Sequence, residues 1–323
     1  MQNGSNSDPR LAEGLDPELI AFVDDILAAY GRFPPFQTLD IAAQRKVAEA
    51  VRAPWAKGGP TLYRSANRVI GQLRARIHTP RPGPLPALIY LHGGGWTFFS
   101  LDTHDRLMRE YASRAGIAVI GVEYPLAPET KFPNQLTLLA DLVRLLANRG
   151  DEWGIDATRL AIGGDSAGAN LALATALTLR ESDYGDALAG LLLNYGAFDA
   201  RMDSTSYRLF ADGRYLLAAS EMEALWSNYV REPAQRADPF VSPILANLAG
   251  LPPIFMTITD LDILRDENLA IKSALEAANV PVSGGLYPGS IHAFLEASSV
   301  SSLAAGALDD GAGWLKERLG VPS

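Results

Sequence analysis

From about Val69 onward, short apolar runs alternate along the chain with longer segments of helical character. "QLRARIHT" switches between apolar and polar positions, as a half-buried strand should. "LPALIYLHGGG" and "GIAVIGVEY" are continuous apolar runs, which suit strands buried on both faces of a parallel sheet. A helix is predicted between them over Thr103–Ala115, and another over Pro133–Asn148. The alternation continues with a strand at Leu160–Gly163, a helix at Ala167–Arg180 and a strand at Leu188–Tyr195. A strand at Ile254–Thr259, a helix at Arg265–Asn279, a strand at Val282–Tyr287 and a helix near Ala307–Arg318 complete it. Strands taking turns with helices predict an α/β protein with a mostly parallel central sheet and helices on both faces.

Two segments stand outside this rhythm. Before the first strand, Asp16 can cap a helix that has Pro17 in its first turn and Gly31 at its end, and "FPPF" stops any continuation. A second helix is predicted from about Asp40 to Ala53, ahead of Pro54, while the first ten residues read as a disordered tail. Between Phe198 and Leu251 no strand is convincing, but a helix rich in aromatic residues is predicted near Ser220–Arg231. These segments are expected to form a helical cap. The domain reading is cap helices at 1–55 and a catalytic domain at 56–323, with a cap insertion at about 198–250.

The composition narrows the function. With 28 basic and 37 acidic residues the formal net charge is -9, which disfavours nucleic acid or an anionic membrane as a partner. The chain has no cysteine, so disulfides and thiolate metal sites are excluded. "MQNGSNSDPR" has neither the basic nor the apolar region of a secretory signal, and no stretch approaches a membrane span. A cytoplasmic protein acting on a small molecule is the expectation, with a homo-oligomer left open.

The glycines gather around one serine. "GDSAG" at Gly164–Gly168 follows a predicted strand and opens a predicted helix, the arrangement of a nucleophile elbow. Side chains at Gly164 and Gly168 are expected to clash there, so the glycines make room for the turn and leave Ser166 at the sheet edge. A glycine-rich turn with a helix-capping serine is the plainer alternative. A serine hydroxyl needs a base and a site for developing negative charge. "HGGGW" at His92–Trp96 follows a strand and exposes backbone N–H groups; those of Gly93 and Gly94, with that of Ala167, form a candidate oxyanion hole. His92 is expected to orient this loop. It lacks the Lys-Ser/Thr ending of a phosphate loop. Among the other histidines, His78 and His104 suit solvated or structural roles, and His292 in "YPGSIHAF" lies just beyond the last strand, where a base is needed. Its orienting carboxylate comes from "TITDLDILRDEN", where pattern leaves Asp260 and Asp262 both open and places Asp266 inside the helix. Trp96, Tyr195 and Trp226, with Tyr229, are candidates to line a substrate pocket or simply to pack.

"HGGGW", "GDSAG", "DILRDE" and "HAF" together resemble the blocks of the hormone-sensitive-lipase-like esterases, bacterial family IV, within the α/β-hydrolase fold. That family's carboxylate block is D-P-L-R-D-E with its first Asp catalytic, so the resemblance implies Asp262, beside Ser166 as nucleophile and His292 as base. "LDTHDRLMREYASRAGIAVIGVEYPLAPE" and "LYPGSIHAFLEAS" resemble the bacterial acetyl esterases in particular. Two positions depart: Pro125 replaces the common Arg of Y-R-L-A-P-E, which bears on a loop meeting the cap or a neighbouring subunit, and Ile263 replaces the usual Pro. The resemblance implies a serine carboxylesterase for small acetyl to butyryl esters, working through an acyl-enzyme without metal or organic cofactor. An amidase or peptidase with the same triad, or a ligand-binding member without catalysis, are the rival readings.

Overall fold

The computed structural model describes residues 8–322. Most of the predicted tail, residues 1–7, lies outside them. From residue 8 the tail expectation fails: the Asp8 carboxylate accepts the Arg10 N–H at 2.9 Å and starts a short helix, α1 (Pro9–Ala12). Asp16 does cap, accepting the Glu18 N–H at the head of a 3₁₀ turn over Pro17–Leu19 that runs into α2 (Ile20–Tyr30). Asp40 caps α3 (Ile41–Arg52) through the Ala43 N–H at 2.8 Å.

The sheet then begins one strand earlier than its pattern announced. β1 (Arg64–Ile70) and β2 (Leu73–Thr79) form an antiparallel hairpin at one edge. β3 (Leu85–Leu91), α4 (Asp105–Ala115), β4 (Ala118–Glu123), α5 (Asn134–Arg149), β5 (Ile155–Asp165) and α6 (Ala167–Arg180) follow in strict alternation. After β6 (Gly190–Asn194) come α7 (Thr205–Leu209) and α8 (Ala219–Tyr229), then β7 (Ile254–Leu261), α9 (Arg265–Ala277), β8 (Val282–Ile291) and α10 (Ser302–Arg318). The eight strands form one sheet in the order β1-β2-β4-β3-β5-β6-β7-β8. β2 runs antiparallel to both neighbours, and every pair from β4 to β8 is parallel.

The core explains why the central strands read as unbroken apolar runs. All seven residues of β3 are buried, because helices cover both faces of the sheet. Each buried Leu or Ile there contributes about 1.5–3 kcal/mol. The parallel register matters more for function. Leu91 pairs with Gly164, Asp165 with Asn194, Asn194 with Thr257 and Leu261 with Ile291, so these strand ends lie along one edge. The loops holding His92, Ser166, Tyr195, Asp262 and His292 all leave from that edge, where ligands of open α/β sheets bind.

The segment between β6 and β7 holds α7, α8 and short 3₁₀ turns, with a single isolated bridge from Asp212 to Ala218. It meets the N-terminal segment directly: the Tyr215 hydroxyl donates to Glu13 at 2.5 Å, and Arg214 pairs with the same carboxylate at 3.1 Å. Among the described residues no helix is long and apolar enough to cross a membrane.

Candidate active site

β5 delivers Ser166 into a tight turn from which α6 departs. Ser166 has φ +53° and ψ −119°, outside the regions that L-residues normally occupy. The turn packs tightly because the residues two positions to either side, Gly164 and Gly168, lack side chains. A Cβ at Gly164 would stand 2.1 Å from the Leu91 carbonyl oxygen, and one at Gly168 only 1.9 Å from the same atom. The two glycines therefore let β3, the turn and α6 approach within backbone contact. The Ser166 N–H donates to the Asn194 carbonyl at 2.9 Å, which ties the turn to β6.

His292 lies just past the end of β8, with its Nε2 3.1 Å from Ser166 Oγ and its Nδ1 2.8 Å from Asp262 Oδ2. All three side chains are buried. Of the two aspartates left open by pattern, Asp262 is the one that meets the imidazole. Asp260 instead accepts the Gly289 N–H at 3.0 Å, and Asp266 accepts the Ser206 N–H at 2.8 Å. Asp262 also receives the Thr259 hydroxyl at 2.6 Å and the Leu264 N–H at 2.9 Å. Burial alone would raise its pKa, but the His292 charge and these donors hold it below the ordinary carboxylate value. A carboxylate so fixed orients the imidazole through its Nδ1–H.

The glycine loop after β3 departs from expectation in one donor. The Gly93 N–H is turned toward Asp165 and donates to its Oδ1 at 3.2 Å. It is therefore not a free oxyanion donor. Among the described residues, the N–H groups of Gly94, Gly95 and Ala167 have no hydrogen-bond acceptor, as is also true of Trp96 and Gly168 in the same turns, and so are free to serve as donors. Gly94 (φ +105°) and Gly95 (φ +57°) adopt left-handed backbone, and a Cβ on either would collide with Phe98 or Leu225. His92 does orient this loop: its Nδ1–H donates to the Gly93 carbonyl at 2.7 Å, and its ring stacks on Tyr124 at 4.5 Å. Burial pushes its pKa down to about 4, so it is neutral and suited to that role.

A family model described as the alpha/beta hydrolase fold matches residues 88–296. The acetyl esterase of Salmonella dublin is 33% identical over 289 residues, 88% of this chain and 89% of its own length. An ester hydrolase from the metagenome of Lake Arreo superposes with a TM-score of 0.88 at 33% identity, covering 95% of this chain and 100% of its own. A hyperthermophilic esterase from Pyrobaculum calidifontis does so at 0.86 and 30% identity, covering 94% and 98%. The chain belongs to the hormone-sensitive-lipase-like esterases of the α/β-hydrolase fold. It is a carboxylic ester hydrolase.

In this esterase the three aromatic pocket candidates are all buried. Trp96 stacks on Tyr229 with ring centroids 4.4 Å apart and touches Trp226 at the same separation, so this cluster packs α8 against the glycine loop. Trp96 and Trp226 thus present no open wall to a substrate. Tyr195, at φ +38°, sets its ring edge-to-face on His292 at 5.3 Å.

Several residues of the esterase site had no assigned part. Asp165, inside the serine motif itself, accepts the Tyr90 hydroxyl at 2.8 Å, the Gly93 N–H and the His104 Nε2–H at 3.3 Å. It thereby joins the serine turn, the glycine loop and the start of α4. Its signal was its place beside Ser166, but only tertiary structure reveals its partners. His104 is structural and fully buried, as is His78, whose pKa burial lowers to about 4. Glu267, the third residue of α9, accepts the Phe198 N–H at 2.6 Å and the Asp199 N–H at 3.2 Å. Burial raises its pKa well above the usual range. Among the described residues no group of three or more His, Asp or Glu side chains is placed to hold a metal ion.

Proposed function

We propose that this esterase hydrolyses short-chain acyl esters, acetyl to butyryl, through an acyl-enzyme formed on Ser166. The observation that carries the reading is the unbroken relay from Ser166 Oγ through His292 to Asp262, at 3.1 and 2.8 Å. His292 Nε2 takes the hydroxyl proton as Ser166 Oγ attacks the ester carbonyl, and Asp262 stabilises the imidazolium that results. Negative charge on the carbonyl oxygen is received by the N–H groups of Gly94, Gly95 and Ala167. Collapse of the tetrahedral intermediate breaks the C–O bond, and His292 gives its proton to the departing alcohol. Water, deprotonated by the same imidazole, then attacks the acyl-enzyme and frees the acid and Ser166.

The N-terminal helices up to residue 55 and the segment at about 198–250 act together as a cap over this edge. Their direct joining through Tyr215 and Glu13 supports that reading, as does the packing of α8 on the glycine loop. The short acyl preference is supported by the acetyl esterase relatives.

The test is kcat/KM on p-nitrophenyl esters from acetate to decanoate, with Ser166→Ala as the blank. A maximum at acetate to butyrate is expected, with kcat about 10⁴–10⁶-fold lower in the variant. A maximum at longer chains overturns the short acyl preference, and near-normal turnover by the variant overturns the serine mechanism.

A further inference from the structure

One side chain of the N-terminal region reaches the backbone of the glycine loop. Arg45, in the first turns of α3, donates from Nε to the Thr97 carbonyl at 2.9 Å and from Nη2 to the Ala127 carbonyl at 2.8 Å. Its fork closes on Glu129, with Nη1 to Oε1 at 2.9 Å and Nη2 to Oε2 at 2.6 Å. Four of the five guanidinium N–H groups are thus engaged, on partners more than fifty residues away in sequence.

The carbonyls it grips belong to a small backbone lattice. The N–H groups of Thr97 and Phe98 both donate to the Gly94 carbonyl, at 3.1 and 2.9 Å. The Ala127 N–H donates to the Trp96 carbonyl at 2.8 Å. Fixing Thr97 and Ala127 therefore fixes the carbonyls of Gly94 and Trp96. A peptide group is planar and trans, so the Gly94 carbonyl and the Gly95 N–H point in opposite directions from one rigid unit. Holding the first on the loop side aims the second away from it. Gly94 and Gly95 have left-handed backbones that no side chain stiffens, and the direction of these amides depends on external restraint.

We propose that Arg45 is a positioning residue for the oxyanion donors. It couples the seating of α3 to the direction of the Gly95 N–H, and the proposal rests on the serine mechanism given above. Arg45 touches neither substrate nor Ser166; it acts through Thr97, Ala127 and Gly94. An oxyanion donor is worth most when it is fixed before the charge develops. Freeing this lattice should lower the rate of the chemical step while leaving ground-state binding nearly intact.

The experiment compares Arg45→Met, Arg45→Lys and Glu129→Gln with the wild-type chain on p-nitrophenyl acetate. A trifluoromethyl ketone, which forms a tetrahedral oxyanion adduct on serine, serves as a second probe. For Arg45→Met, kcat is expected to fall about 10- to 100-fold, the scale of a misplaced catalytic group, with KM changed less than about threefold. The ketone's affinity should fall in parallel with kcat. Added methylguanidinium should restore part of the rate. Arg45→Lys keeps the charge but cannot span both carbonyls and Glu129, so it should share the loss; it carries the test if the Met variant does not fold. Glu129→Gln leaves both carbonyl contacts and should stay within about threefold of wild type. Wild-type kcat in both Arg45 variants overturns the proposal, as does a rise in KM alone or a fall in kcat that the ketone's affinity does not follow. A loss in Glu129→Gln as large as in Arg45→Met also overturns it. Turnover in Ser166→Ala would instead refute the serine mechanism, whatever the Arg45 variants do.

Discussion

Replacing His104 with Gln should weaken the fold more in acid than in alkali. His104 Nε2 stands 3.3 Å from Asp165 Oδ2, and both side chains are buried. Burial disfavours the imidazolium, yet the carboxylate's charge and hydrogen bond outweigh it, so the His104 pKa is raised above 6.5. Burial likewise opposes the Asp165 carboxylate, but His104 and the Tyr90 hydroxyl hold its pKa below 3.8. A histidine with a raised folded pKa gives its full ionic stabilisation below pH 6.5 and loses it as pH rises through the folded value. Asp165, lowered, stays ionised throughout that window. At an effective dielectric constant of about 20, two charges at this separation attract by about 5 kcal/mol. Desolvation returns several kcal/mol of this, leaving a net of about 1–3 kcal/mol. Gln keeps an N–H donor but cannot take up a proton. Urea unfolding of both proteins, followed by the fluorescence of the five tryptophans, gives the difference in stability at pH 5.5 and at pH 9. The gap should be wider at pH 5.5 by about 1–3 kcal/mol, with equal m-values at the two pH values. A gap that is flat with pH, or wider at pH 9, refutes the ion pair.

Gly168→Ala places a Cβ 1.9 Å from the Leu91 carbonyl oxygen and 2.6 Å from its carbon, so β3 or α6 must shift. We expect kcat/KM to drop about 100-fold or more, and steady-state kinetics with unchanged values would contradict the close approach. Glu267→Gln keeps an acceptor for the Phe198 and Asp199 N–H groups but removes a carboxyl whose folded pKa is raised. The stability penalty of such a carboxyl begins above its unfolded pKa of about 4.3 and grows with pH, so the variant's Tm relative to wild type should rise between pH 4.5 and pH 8. A relative Tm that falls over that range would refute a neutral Glu267.

The parts legible in the sequence are those where one local pattern decides. Ala167–Arg180 is the same in prediction and structure, because a glycine turn starts it and an apolar helix follows. Ser166 and His292 were legible because both follow strands on one sheet edge, and Asp262 followed from the resemblance. β1 was not legible: it is an edge strand whose residues are mostly exposed, so "RSANRVI" has no apolar alternation to show. The N-terminal end of β5 was also lost, where Ile155–Arg159 is largely polar and pairs with β3 only through a register shift at Leu85 and Ala87. The choice between Gly93 and Gly95 as oxyanion donor depends on which way a peptide faces, and three successive glycines carry no mark of that. Arg45 and His104 act on partners far along the chain, and nothing near either residue announces them.

The backbone at Ser166 also bears on how such a chain evolves. Its φ of +53° with ψ −119° is a conformation that costs about 1–3 kcal/mol for a serine and almost nothing for a glycine. Selection for stability alone therefore pushes against the residue that attacks the ester. A lineage released from the need for turnover would drift toward glycine at this position and fold more firmly for it. The serine persists only while its chemistry is under selection.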